Sequence, residues 1–572
     1  MTTYKYYPQR PDRLTPEFVR AEFSRALEAL PAADGDPTPA RWLEAVAKWN
    51  ALRAYIEGER ARIGYAFSKN CLDPELEVQD RYFREQVIPA QEEGDARFLE
   101  ALAHTPHKAG IAARYGQYFL DRMAAGRQTV EPVNSALRVE LGDLATQYDK
   151  TIAAGEVTVG GEAMTLTRAL GIASGSDQSA TRREAYMAYR QWFVDNRETL
   201  AGFYARMVEL RDRMGRNLGH TNYVPLGYAG MSRTDYGPAQ AAEFRRGVRE
   251  HFVPLYRKLM ERQAAELGEA ALKPWHAGFH PSLSIPLGAV PVAGQLDAAQ
   301  RVFSKLSPHL ARHFSNMREQ GLIDLENRKG KRGGAFCTSF PDEGRVAIFC
   351  NSTGQANDVL TITHEMGHAF QASESQAIEL VELQWPTADA AEIHSMGMEY
   401  LSLRHIGEFF SDPEHASRFQ RKRWVGAVEL VCYICAVDEY QHWVYENPGA
   451  TAVERDTQWD RLWETYIPGL DFSGVEPLRT ARWYAQLHIF KYPFYYIDYA
   501  IAETGAMQLA VMDAKDPAAT LETYLGLCRV GGTRGVLDIF KSAGLRSPFD
   551  EGVMAGLAAH AAKECELNLT QG

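Results

Sequence analysis

Two histidines four residues apart enclose a glutamate in Thr363-His364-Glu365-Met366-Gly367-His368-Ala369-Phe370. On an α-helix, positions four apart lie one turn above each other, so both imidazoles can address a single ion. Neutral imidazole is a good zinc ligand, and a catalytic zinc site takes three protein ligands and leaves a position for water. Glu365 projects about 100° round the helix from His364. From there its carboxylate can take a proton from that water, which is the chemistry of a metallopeptidase. Asn357 or Asp358 can cap the helix, and Val359, Ile362, Met366 and Phe370 give it an apolar stripe. The pattern is short enough to arise by chance. But two histidines and a glutamate inside a buried helix are costly without partners, and one ion is the simplest partner for all three.

A third ligand is expected from a second helix over residues 387–400, reached after a turn at Trp385-Pro386. Glu392 and Glu399 are seven residues apart and share a face of that helix. Glu392 is the expected third ligand, and Glu399 the acceptor for the N–H of a ligating imidazole. The alternative is a solvated pair of carboxylates.

The H-E-M-G-H run followed by E-x-x-S-x-x-x-E (Glu392, Ser395, Glu399) resembles the M3 family of zinc oligopeptidases, and within it the oligoendopeptidase F and Pz-peptidase branch. The resemblance extends to Gly330-Lys331-Arg332-Gly333-Gly334-Ala335-Phe336-Cys337-Thr338, to Asn357-Asp358-Val359-Leu360-Thr361 and to Met231-Ser232-Arg233-Thr234-Asp235-Tyr236. It also covers the run from His488 to Tyr499, so that residues 200–520 match in order. Gln371 stands where thimet-type relatives carry a further His, which favours the oligoendopeptidase branch. The resemblance implies a mainly α protein with two helical lobes around a deep channel, and one Zn2+ per chain. It also implies substrate and transition-state contacts from His488, Tyr496 and Tyr499. Tyr495 rivals Tyr496, because the alignment can slip by one residue.

The elements that position these groups follow from the rest of the chain. At 572 residues the chain exceeds a single ordinary core. Residues 1–200 are expected to form an N-terminal helical region and 201–572 the catalytic region. With 45% hydrophobic and 24% charged residues the composition is that of a soluble globular protein. A net charge of −12 argues against nucleic acid as the main partner. Met1 to Pro8 lacks the apolar core of a signal peptide, and no apolar run is long enough to cross a bilayer, so a cytoplasmic enzyme with no membrane partner is expected. Its oligomeric state stays open. Seven scattered cysteines form no disulfide framework, and Cys432 and Cys435 sit in an apolar run as small buried thiols.

Residues 10–130 and 136–215 read as amphipathic helices, broken at Pro31 to Pro37, with a small hairpin around Val157-Thr158-Val159 and Met164-Thr165-Leu166. A long helix over 236–267 is expected to start near Thr234 or Asp235 and to turn Arg245, Arg246 and Arg249 to solvent. Four prolines keep 273–293 irregular. β-like runs at 333–340 and 345–351, around Pro341-Asp342-Glu343-Gly344, predict a hairpin directly before the zinc helix. Its edge can take an extended peptide as an added strand, with Gly333 and Gly334 allowing close approach and Ala335 and Phe336 continuing the strand. A purely structural sheet is the alternative. Trp424, Trp443, Trp459, Trp463 and Trp483 are expected packing anchors. Pro493 divides the aromatic run into a loop with His488 and a helix with Tyr496 and Tyr499.

These expectations amount to a zinc endopeptidase of short peptides with Glu365 as base. A peptidyl-dipeptidase or carboxypeptidase with the same site, and a non-catalytic peptide-binding protein, are the alternatives. Cobalt or manganese can replace zinc in such a ligand set.

Overall fold

The computed structural model describes residues 7, 10, 11, 13–28, 30 and 39–567. The expected break at Pro31 to Pro37 lies outside the described residues, as does all of the Met1 to Pro8 segment except Tyr7. Helices dominate, with one two-stranded and one three-stranded sheet among the described residues. None of these helices is long and apolar enough to cross a membrane.

Two main apolar cores organise the described helices, and Leu137, Leu210, Met214 and Leu226 form a small third cluster. The smaller of the two main cores is built from residues 14–123, with Trp49 stacked on Phe98 and tilted against Phe119, and it borrows Leu380 and Leu383 from the second half of the chain. The larger gathers the helices from residue 148 to 565. The long helix α1 (Ala40–Lys69) reaches from the smaller core toward the sheet that precedes the candidate metal site. A cavity of about 820 Å³ opens between α1 and that sheet.

The expected hairpin β1 (Glu156–Val159) and β2 (Glu162–Thr165) is present and antiparallel. The long helix of residues 236–267 is α2 (Pro238–Gly247), a π-helical turn at Val248–Phe252, and α3 (Val253–Leu267). Pro254 explains the interruption: its ring clashes with the carbonyl four residues back, and a π turn just before it relieves the clash. Phe83–Val87 forms the same kind of turn immediately before Pro89. Two expectations for this helix need correction. Its start is Gly237, whose N–H donates to Gln240 Oε1, while Asp235 instead accepts from Leu537 N. Of the three arginines only Arg245 is buried, against Asp438; Arg246 and Arg249 are exposed to similar extents, with Arg249 reaching Glu439 and the Tyr466 hydroxyl. A solvated arginine needs no partner, whereas the Arg245 guanidinium is buried facing the Asp438 carboxylate of another helix.

Strands β3 (Ile323–Glu326), β4 (Phe336–Phe340) and β5 (Arg345–Ser352) form a sheet in the order β3-β5-β4, with β3 parallel and β4 antiparallel to β5. The hairpin agrees with the sequence; β3 has no counterpart in it, because it pairs in parallel with a strand that is distant in sequence and no turn marks the pairing. Within this sheet β4 is an edge, and its outer side lines the cavity. Gly333, Gly334 and Ala335 lead into it, and Gly334 has φ 90, a left-handed conformation that favours glycine.

Before the metal site the chain forms α4 (Pro308–Glu319), and after the sheet come α5 (Ala356–Glu374) and α6 (Ala388–Leu403). The cap of α5 also differs in detail from expectation. Gln355 is the first flanking residue, and Asp358 caps from inside the helix, where its Oδ2 accepts from the N–H groups of Thr353, Gly354 and Gln355 at 2.8, 2.7 and 3.0 Å. Val359, Ile362, Met366 and Phe370 are buried as the stripe requires. Helix α6 is buried on all sides from Asp389 to Leu403, held between α5 and helices α7 (Pro413–Glu446), α9 (Ile497–Asp513) and α10 (Pro517–Val530); the short α8 (Leu487–Lys491) precedes α9. All seven cysteines are free, with Cys432 and Cys435 buried in α7.

Candidate active site

Helices α5 and α6 approach so closely that a side chain at Gly367 would not fit: a Cβ there would stand 2.5 Å from His394 O and 2.6 Å from Ser395 Cα. The Tyr524 hydroxyl of α10 closes the contact by donating to His394 O at 2.9 Å. This approach brings Glu392 to the two histidines. Its Oε2 lies 3.4 Å from His364 Nε2 and 3.5 Å from His368 Nε2. Zinc bonds of about 2.0–2.1 Å set the ligand atoms of a tetrahedral site roughly 3.3–3.4 Å apart, so the spacing fits one such ion. Ser395 Oγ donates to the same Glu392 oxygen at 2.8 Å and fixes its rotamer.

His364 Nδ1 contacts Glu399 Oε1 at 2.6 Å, which sets the tautomer that leaves Nε2 free as a ligand. Glu399 Oε2 accepts from Arg423 Nε at 2.5 Å, and Arg423 in turn donates twice to Glu503, each bond at 2.9 Å. Burial alone would push the Glu399 carboxyl up, but Arg423 and His364 outweigh it and hold it below the usual range. The same contest, decided by hydrogen bonds from His364 and His368, holds Glu392 down. Burial opposes the charged form of His364, yet Glu392 and Glu399 together raise it well above the ordinary imidazole value. Removing one member of such a buried network costs about 3–5 kcal/mol, because it strands the opposite charge.

Glu365 has a different environment. It is 6% exposed, its Oε2 has no hydrogen-bond partner, and burial raises its pKa against the pull of His364 and His368. A carboxylate whose pKa moves toward neutrality, with one oxygen free, is suited to taking and returning a proton. The Trp385 ring lies 5.6 Å from His368 and borders the cavity, so the candidate metal site adjoins the space beside β4.

The aromatic run arrives from the other side. His488 lies on α8 rather than in a loop, a correction to expectation; the turn after it, not α8 itself, accommodates Pro493. Phe494 has φ 66 and is fully buried among Tyr223, Tyr228, His442 and Tyr445, which anchors the turn carrying Tyr495 and Tyr496. The Tyr495 and Tyr499 hydroxyls are 3.0 Å apart, and the charge of Glu392 acts on both. Tyr496 packs 4.5 Å from the His488 ring and 6.0 Å from Tyr433. Gln486 accepts from Tyr433 OH at 2.8 Å, so its amide NH2 donates to His488 Nδ1 at 2.7 Å and Nε2 carries the His488 proton.

Burial lowers the His488 pKa to about 4. In the unfolded chain this imidazole takes a proton near 6.5, so its contribution to stability is present above that pH and is lost as pH falls through about 4. NMR titration is expected to place the His488 midpoint near 4, and the acid-induced drop in urea midpoint is expected to be smaller in His488→Gln. A midpoint at the ordinary value would remove the neutral donor.

Several of these partners are not evident from spacing. Arg423 and Glu503 close the network behind His364, and Tyr236 donates to Asp389 at 3.0 Å beside the buried pair of Arg233 and Asp498. The signal available was a charge inside an apolar run, as at Glu503 in Ala500-Ile501-Ala502-Glu503-Thr504-Gly505-Ala506-Met507.

Residues 296–559 match the model of peptidase family M3. An oligoendopeptidase F homolog of Borreliella burgdorferi (strain ATCC 35210 / DSM 4680 / CIP 102532 / B31) is 20% identical over 393 residues, or 65% of this chain; the match spans 62% of that relative's length, under two thirds. Among solved structures, Pz peptidase A with an inhibitor is 30% identical with a TM-score of 0.87, covering 98% of this chain and 99% of its own. A crystal structure described as an oligoendopeptidase F is 32% identical with the same TM-score, 0.87, and the same coverage of 98% and 99%. With this likeness along 98% of its length, the chain belongs to peptidase family M3, a family of metallopeptidases.

Proposed function

We propose that the chain is a zinc-dependent endopeptidase that hydrolyses internal bonds of short, unstructured peptides, with residues 201–572 as its catalytic region and the cytoplasm as its place of work. The observation that supports this most is the convergence of His364 Nε2, His368 Nε2 and Glu392 Oε2 next to the unpartnered oxygen of Glu365. His364, His368 and Glu392 would hold one Zn2+, which when bound polarises the scissile carbonyl and lowers the pKa of water. Glu365 takes the proton of the attacking water and returns it to the leaving amine. Tyr499, with Tyr495 at its hydroxyl, and His488 through Nε2–H donate to the carbonyl oxygen as it gains charge, and Tyr496 holds the His488 ring. The peptide pairs as an added strand with the edge formed by Gly333, Gly334, Ala335 and Phe336 as they run into β4.

The peptidyl-dipeptidase alternative has one supporting observation. Arg60, Arg332 and Arg345 line the cavity, where a guanidinium can clamp a free C-terminal carboxylate, although Arg345 is already held by Glu343. A ladder of unstructured peptides, about five to forty residues long, with free and blocked termini, separates the two by product mass. Internal cuts indifferent to blocking and fading with length are expected. Stepwise release from free C-termini only would replace the endopeptidase, and absence of products after metal loading would favour a peptide-binding protein.

A further inference from the structure

The geometry points to a second divalent-metal site at the far end of α5, formed by His309, His313 and Glu374. Glu374 is the last residue of α5, six beyond His368, about 9 Å further along the axis. His309 and His313 stand one turn apart on α4, with ring centroids 4.7 Å apart and planes at 87°. The pair His364 and His368 has nearly the same disposition, 5.0 Å and 86°. The third group occupies the corresponding place, although His309 hydrogen-bonds to it directly, a contact that the ion would replace. His309 Nε2 contacts Glu374 Oε1, and His313 Nε2 lies 3.5 Å from the same oxygen. In both trios, two imidazoles of one helix address a single carboxylate oxygen of a neighbouring helix.

The surroundings suit an ion. The Arg529 Nε donates to Glu374 Oε2 at 3.0 Å, which fixes the carboxylate while leaving Oε1 to the imidazoles. The side chains of His309 and His313 are 37% and 31% exposed, so ion and water reach them, while Glu374 at 8% is held in place. Two imidazoles and one carboxylate suit Zn2+, Co2+ or Ni2+ rather than Mg2+ or Ca2+. The run is His309-Leu310-Ala311-Arg312-His313, with leucine where Glu365 stands in the other trio. This site therefore lacks a base and binds without catalysing, tying the start of α4 to the end of α5.

The test is equilibrium dialysis of the chelator-treated full chain against Zn2+, with metal counted per protein. Wild type is expected to bind two equivalents and His309→Ala/His313→Ala one, with kcat/KM at one equivalent unchanged. If wild type binds one and the double variant none, the second site stands and the reading of His364, His368 and Glu392 falls. Equal counts in the two proteins would overturn the second site. Glu374→Gln, which preserves side-chain volume, supplies the same comparison if the double variant fails to fold.

Discussion

Glu365→Gln is expected to lower kcat by about a thousandfold, within the range general acid–base groups contribute, while metal content stays at the wild-type value. Glutamine keeps the length and shape of the side chain but cannot accept a proton, and none of the three metal donors is touched. KM should change little, because the loss falls on the transition state and not on peptide binding. Stability should hold or rise. The Glu365 carboxylate is buried with Oε2 unpartnered, so removing its charge relieves a desolvation cost. That combination distinguishes a base from a structural residue. Steady-state kinetics on a blocked peptide, with metal content and urea midpoint on the same preparations, is the measurement. More than about a tenth of wild-type turnover would remove Glu365 from the role, since even the weakest such group contributes roughly a hundredfold.

Gly367→Ala is expected to reduce kcat/KM at least about a hundredfold and to loosen metal binding, although it adds one methyl group and touches no ligand. The added Cβ would meet His394 O at 2.5 Å and Ser395 Cα at 2.6 Å. Both are backbone atoms, so no rotamer change relieves the clash and α6 must move. Glu392 lies one turn before Ser395 on that helix and is fixed to it by the Ser395 hydroxyl, so it moves as well. A displacement of about 1 Å suffices for a loss of this size, and overpacking costs about 1–3 kcal/mol of stability. Gly526→Ala in α10 is the control, because a Cβ there meets nothing within 4 Å. It should be neutral or stabilising by up to about 1 kcal/mol. Chelator-competition kinetics and thermal melts of the two variants check the contrast. Wild-type metal retention in Gly367→Ala would show that α6 accommodates the methyl and that the close approach is not what positions Glu392.

The chemistry of this chain is legible in its sequence because helical periodicity is local. A spacing of four places His364 and His368 on one face whatever surrounds them, and a spacing of seven does the same for Glu392 and Glu399. The hairpin was legible for a related reason: two β-rich runs lie either side of a proline–glycine turn, and neighbours in sequence pair readily. β3 was not, because its partner β5 is parallel and more than twenty residues away.

The rest was decided by packing between distant segments. Arg423 and Glu503 carry no mark of their partnership with Glu399, since 80 residues separate them and only the fold brings α7 and α9 together. Arg245 has the spacing of a solvated face, yet Asp438 of α7 meets it and it is buried. His309 and His313 have the same one-turn spacing as His364 and His368, but only the tertiary structure sets Glu374 opposite them. The sequence by itself determined which groups share a helical face, and so the kind of ion and reaction they suit. Which carboxylate meets which imidazole, and which charges are buried, was determined by the tertiary structure, because contacts between helices depend on close approach at residues such as Gly367 that no local pattern encodes.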